Sequence, residues 1–108
     1  WFISLDPTKG SEQKGIRPVL VISNDAVNDN LPIFTCIPFS SIKKGDKIYP
    51  TEVFLSTLES GLPRDSVLML QQIRTVSIEC LYKRVSIISN EKIKEKIEEA
   101  LKKYFELD

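Results

Sequence analysis

The apolar residues of this chain come in short runs, each closed by proline, glycine or a polar cluster. Runs of that length suit strands better than helices. Trp1, Ile3 and Leu5 alternate with Phe2 and Ser4, which predicts an opening strand ended by Asp6-Pro7. Further strands are expected at Arg17 to Ser23, Ile33 to Phe39, Pro50 to Leu55, Ser66 to Leu70 (running on into Gln71 to Val76) and Val85 to Ile88. Pro38 cannot donate to a ladder, so it predicts an edge position or a bulge in the third strand. Asn24 to Asn28 and Ile78 to Tyr82 read as short helical turns, the first capped by Ser23 or Asn24. Ser60 to Asp65 reads as a turn cluster.

Only the final stretch has a helical period. Ile93, Ile97, Ala100, Leu101 and Tyr104 share one face of a helix from about Glu91 to Phe105, capped by Ser89 or Asn90. Glu98 with Lys102, and Glu99 with Lys103, are spaced as exposed ion pairs on that helix. Five or six short strands and one terminal helix predict a mainly β fold, a small and strongly bent barrel forming one domain over residues 1–108.

Composition narrows the chemistry. There is no histidine, and Cys36 and Cys80 match no metal-ligand spacing, so a histidine-based triad, a histidine pair and the usual zinc sites are excluded. The two cysteines read as small core residues in a reducing compartment. Fifteen basic residues balance fifteen acidic ones, which argues against a generic charge-driven nucleic-acid binder. A local groove remains open to Lys9, Lys14, Arg17, Lys43, Lys44 and Lys47, with Glu12 and Asp46 mixed in. No apolar run reaches the eighteen or so residues of a membrane span, and no signal-peptide pattern opens the chain, so a cytoplasmic protein without a membrane partner is expected.

The stretch from Gly10 to Ser23 joins a polar segment bounded by Gly10 and Gly15 to the apolar run Val19 to Ile22. It reads as a shaped loop feeding a buried strand, with Pro18 holding Arg17 extended at the junction. Asp6-Pro7-Thr8, Gly10-Ser11-Glu12-Gln13, Gly15, Arg17-Pro18-Val19-Leu20-Val21 and Ser23-Asn24-Asp25 together resemble the N-terminal signature of the MazF/PemK/Kid family. These are toxins of bacterial toxin–antitoxin pairs that cut single-stranded RNA. Asp65-Ser66-Val67 through Gln72-Ile73-Arg74-Thr75 resembles a second family block, and Tyr49-Pro50-Thr51-Glu52-Val53 resembles the segment after the family's mobile loop, here the basic stretch Ser40 to Ile48. The signature usually has a short lead-in, so the resemblance implies a few native residues before Trp1.

The resemblance implies an SH3-like barrel of the CcdB/MazF type, a homodimer, no cofactor or metal, and a MazE-like antitoxin whose tail occupies the RNA groove. In such a ribonuclease the RNA 2′-hydroxyl attacks its own phosphate, leaving a 2′,3′-cyclic phosphate (or the 3′-phosphate from its opening) and a 5′-hydroxyl. The protein must then move two protons and stabilise charge on phosphorus. Arg17 suits the last task through its fork of donors. The family pattern Pro-x-Thr falls on Pro38-Phe39-Ser40, which carries the partner hydroxyl over to Ser40, with Ser41 as its alternate. Taking a proton from a free guanidinium at neutral pH costs about 7 kcal/mol. Arg17 is therefore read chiefly as transition-state stabiliser and candidate acid, and the base is open between Glu12, water and Arg17 itself.

Ser11, Gln13, Lys14, Ser41, Lys43, Tyr49, Pro50 and Gln72 are candidate RNA contacts, Tyr49 by stacking on an unpaired base. Gln71 stands where the family commonly has an acid, so the Kid-like form of the mechanism, which uses charge there, is not expected. Two other readings belong to different classes: a CcdB-like toxin that binds gyrase, and a catalytically dead module that binds only the antitoxin.

Overall fold

The computed structural model describes residues 1–7, 16–80 and 83–107. Seven strands and three α-helices lie among them: β1 (Phe2–Pro7), β2 (Ile16–Val21), α1 (Asp25–Asn30), β3 (Ile33–Ser41), β4 (Glu52–Leu55), α2 (Thr57–Ser60), β5 (Ser66–Met69), β6 (Arg74–Ser77), β7 (Lys83–Ile87) and α3 (Glu91–Phe105). The run expected as one continuous strand from Ser66 onward is two. Leu70–Gln72 make a turn of 3₁₀ helix, closed by Ile73 N–H donating to the Leu70 carbonyl at 3.1 Å, and β6 starts afresh beyond it. That break raises the strand count above the expected five or six.

All pairings are antiparallel, in the order β4-β5-β3-β2-β1-β7, with β6 also on β3. The nine-residue β3 is the hub. One edge pairs with β2 at Cys36 to Pro38. The other edge pairs with β6 at Ile33 to Cys36, then with β5 at Phe39 to Ser41. Pro38 thus lies in a central strand, which corrects the edge expectation. It falls in the gap where β3 has left β6 and not yet met β5, so a residue without an N–H is tolerated on that edge.

The core follows from strand alternation. Ile3, Leu20, Ile37, Phe39, Val53, Leu55 and Leu68 from five strands bury against Leu62, Leu70, Ile88 and Ile97. The opposite face of β2 and β3 buries Val19, Val21 and Cys36 beside Phe2, Phe34 and Val76. Cys36 is a core residue as expected; the Cys80 side chain lies outside the described set. The strands wrap one interior without β4 pairing to β7, giving a bent, open barrel with α3 on it.

The terminal helix has the predicted bounds. Asn90 Oδ1 accepts from the N–H groups of Lys92 (2.9 Å) and Ile93 (3.3 Å), satisfying two donors the helix itself cannot. Ile97 is fully buried, with Ile93, Ala100 and Leu101 half-buried around it. The ion pairs it forms use three-residue spacing, Lys102 with Glu99 at 3.7 Å and Lys94 with Glu91 at 3.9 Å.

Candidate functional site

The β2–β3 ladder ends at Val19 and Pro38. Continuing its register would set Arg17 opposite Ser40. There the two strands part, while the other edge of β3 pairs with β5 through Phe39↔Leu68, Ser40↔Val67 and Ser41↔Ser66. A cleft of about 510 Å³ opens between the separated strands. Its polar wall is Arg17, Ser40, Ser41, Arg64 and Ser66. Its floor is apolar: Pro18, Phe39, Leu62, Pro63 and Val85. Arg17 is half-buried, as is Ser40. The nearest acceptor for the Ser40 hydroxyl is the Ser41 carbonyl at 3.5 Å, beyond ordinary O–H···O length, which leaves the hydroxyl available to a ligand.

Of the mixed groove expected, Lys9, Glu12 and Lys14 lie outside the described residues, and the described members are divided. Among the described residues the cleft is lined by two arginines and no carboxylate. Lys43, Lys44, Lys47 and Asp46 lie outside it. A smaller depression of about 270 Å³ adjoins it through the shared Ser40 and Ser41, and is walled by Asp46, Lys47, Tyr49 and Glu52. Tyr49 is 55% exposed, and the Lys47 ammonium sits 5.4 Å from its ring centre.

The basic stretch between β3 and β4 is tied at both ends. Lys43 N–H donates to Asp46 Oδ2 at 2.9 Å, and Asp46 N–H returns to the Lys43 carbonyl at 3.0 Å. Gly45 supplies the positive φ of 93° that this turn needs. Tyr49 N–H donates to Glu52 Oε1 at 2.9 Å.

Of the residues singled out in the sequence, the structure gathers Arg17, Ser40 and Ser41 in one cleft and Tyr49 beside it. Lys43 lines a separate hollow with Ile48 and Phe54. Pro50 lines a groove between β4 and α3. Gln72 is exposed on the 3₁₀ turn, its amide 3.6 Å from the Met69 sulfur, and lines neither the cleft nor the adjoining depression. Ser11, Glu12, Gln13 and Lys14 lie outside the described residues. Arg64 is the cleft residue that sequence reasoning missed, since its turn-cluster setting gave it no role beyond loop charge. Among the described residues no group of three or more histidine, cysteine, aspartate or glutamate side chains converges as a metal site. No described helix is long and apolar enough to cross a membrane.

Arg17 and Ser40 line one cleft of an open small barrel, and comparison with known proteins specifies the class of this domain. Residues 1–105 match the family described as PemK-like, MazF-like toxin of type II toxin–antitoxin system. Endoribonuclease EndoA of Bacillus subtilis is 38% identical over 101 residues, covering 94% of this chain and 85% of that protein. The Mycobacterium tuberculosis toxin MazF-mt6 superposes with a TM-score of 0.80 at 22% identity, covering 100% of this chain and 99% of the other. An endoribonuclease solved in complex with its cognate antitoxin, from a mycobacterial species, superposes with a TM-score of 0.78 at 19% identity, covering 99% and 93%. The chain belongs to the PemK-like, MazF-like toxin family of type II toxin–antitoxin systems.

Proposed function

We propose that this chain is an endoribonuclease toxin that cuts single-stranded RNA at a short sequence, with the Arg17–Ser40 cleft as its catalytic centre. The carrying observation is that a half-buried guanidinium and an uncommitted hydroxyl line one cleft free of described carboxylates. Among the described residues, a phosphodiester there meets donors and no anionic wall. Arg17 offers paired donors to the non-bridging oxygens as charge accumulates on phosphorus, and Ser40 adds a hydrogen bond. The 2′-hydroxyl is the nucleophile, so the protein supplies none. The products are a 2′,3′-cyclic phosphate, or its 3′-phosphate, and a 5′-hydroxyl, formed without a metal. The base is Glu12, water or Arg17. The exposed Tyr49 face, next to Ser40 and Ser41, suits a flanking base. In the cell the toxin is cytoplasmic and homodimeric, and a MazE-like antitoxin tail covers the cleft and silences it.

The test is incubation of the purified protein with a long unstructured RNA in EDTA, with mapping of the ends. Discrete cuts bearing 5′-hydroxyl ends are expected, and Arg17→Ala should slow them by about 10²-fold or more. Intact RNA from folded, antitoxin-free protein would sink the reading and return the search to gyrase binding or a dead module. Random cutting, or cutting untouched by Arg17→Ala, would remove the cleft from the chemistry.

A further inference from the structure

The mechanism above uses one arginine of the cleft, yet two line it. Arg64 joins the cleft from the segment that leads into β5, two residues before Ser66, which pairs with Ser41. Its neighbour Asp65 does not neutralise it. Asp65 Oδ1 accepts from Thr57 N–H at 2.9 Å, and the Asp65 carbonyl accepts from Ile42 N–H at 3.0 Å. Among the described residues no carboxylate pairs with Arg64.

The segment that carries Arg64 is exposed but tied down by its own hydrogen bonds. Gly61, at φ 77°, caps α2; Leu62 N–H donates to Ser60 Oγ at 3.0 Å; Ser66 Oγ donates to the Arg64 carbonyl at 3.0 Å. A guanidinium on so well-anchored a segment reaches its ligand with little backbone ordering left to lose. The cleft volume falls within the range of pockets that enclose whole small ligands, more than one phosphate requires.

Building on the proposed function, we infer that Arg64 is a positioning residue that grips the phosphate next to the one being cut. Two arginines from separate segments of the cleft lining then hold successive backbone phosphates, and the ribose between them is fixed with its 2′-hydroxyl directed at the scissile phosphorus. Arg64 acts on the substrate's path and leaves the reacting atoms to Arg17 and Ser40.

The test compares wild type, Arg64→Ala and Arg64→Lys in two assays. One is binding of an uncleavable 2′-O-methyl RNA strand across a salt series. The other is steady-state cleavage of RNA with a single methylphosphonate at the neighbouring linkage or none. Arg64→Ala should weaken binding about tenfold and flatten the salt slope by about 0.7. KM should rise by about tenfold while kcat changes by less than about threefold. Arg64→Lys should keep the slope. The methylphosphonate should cost wild type as much as Arg64→Ala does, and cost the alanine variant nothing more. Unchanged binding and slope would overturn the inference. So would a fall in kcat at constant KM, which puts Arg64 on the reacting phosphate. If wild type binds with an Arg64-dependent slope but cuts no RNA, the cleavage reading falls and the phosphate grip stands.

Discussion

At the scale of single residues, the Ser40 hydroxyl beside Arg17 in one cleft is the group whose removal is most telling. A hydroxyl with its nearest acceptor at 3.5 Å is barely engaged within the protein, so its loss leaves little buried debt behind. Ser40→Ala should therefore leave thermal stability within about 0.5 kcal/mol of wild type. It should still slow RNA cleavage by about tenfold or more, the worth of one hydrogen bond to a charged group. Ser40→Thr restores the family's residue and should cut at least as fast as wild type. Parallel melting curves and cleavage rates check both. That Arg17 and Ser40 would come together was legible in the sequence, because Arg17 sits at a strand entry in a matching family block and Ser40, where the family pattern has threonine, ends the strand expected beside it. Arg64 was not, because nothing local distinguishes an arginine that faces a cleft from one that faces water. What reveals it is a non-local pairing, Ser41 with Ser66.

At the scale of elements, the short connection from α2 into β5 matters more than its length suggests. Ser56 and Glu59 form a reciprocal capping box: Ser56 Oγ accepts from Glu59 N–H, and Glu59 Oε1 accepts from Ser56 N–H. A methyl group on Gly61 would meet the Ser86 side chain at 3.2 Å, on a backbone that disfavours any Cβ. Gly61→Ala should destabilise the fold by about 1–2 kcal/mol, measured by urea denaturation, and should weaken RNA binding by displacing Arg64. The sequence flagged Ser60 to Asp65 as a turn, correctly, but a turn signal carries no information about what the turn presents. The helix was read with its bounds intact because a cap and a 3.6-residue period are local properties. Strand partners are not local, so the exchange of β6 for β5 along β3 was invisible, and Pro38 looked like an edge residue.

At the scale of the whole molecule, net charge misled only in its average. A balance of 15 and 15 coexists with a cleft lined by two arginines and no described acid. RNA binding should consequently weaken as salt rises, despite the neutral total. The interior is small, and α3 anchors itself there through Ile97. Ile97→Ala should cost about 2–5 kcal/mol, a large share of the roughly 5–15 kcal/mol that such domains possess. A fall in melting temperature of about 10 °C or more is expected, read by calorimetry.

The hub position of β3 has one more consequence, which concerns the order of synthesis. Arg17 leaves the ribosome before the other residues of its cleft, which needs Ser40 held by β5 and Arg64 held beyond α2, while the interior needs Ile97. Every one of these is supplied later in the chain. A nascent chain therefore carries Arg17 with no cleft around it until β5 and α3 have been made. On the function proposed above, cleavage is a property of the finished fold.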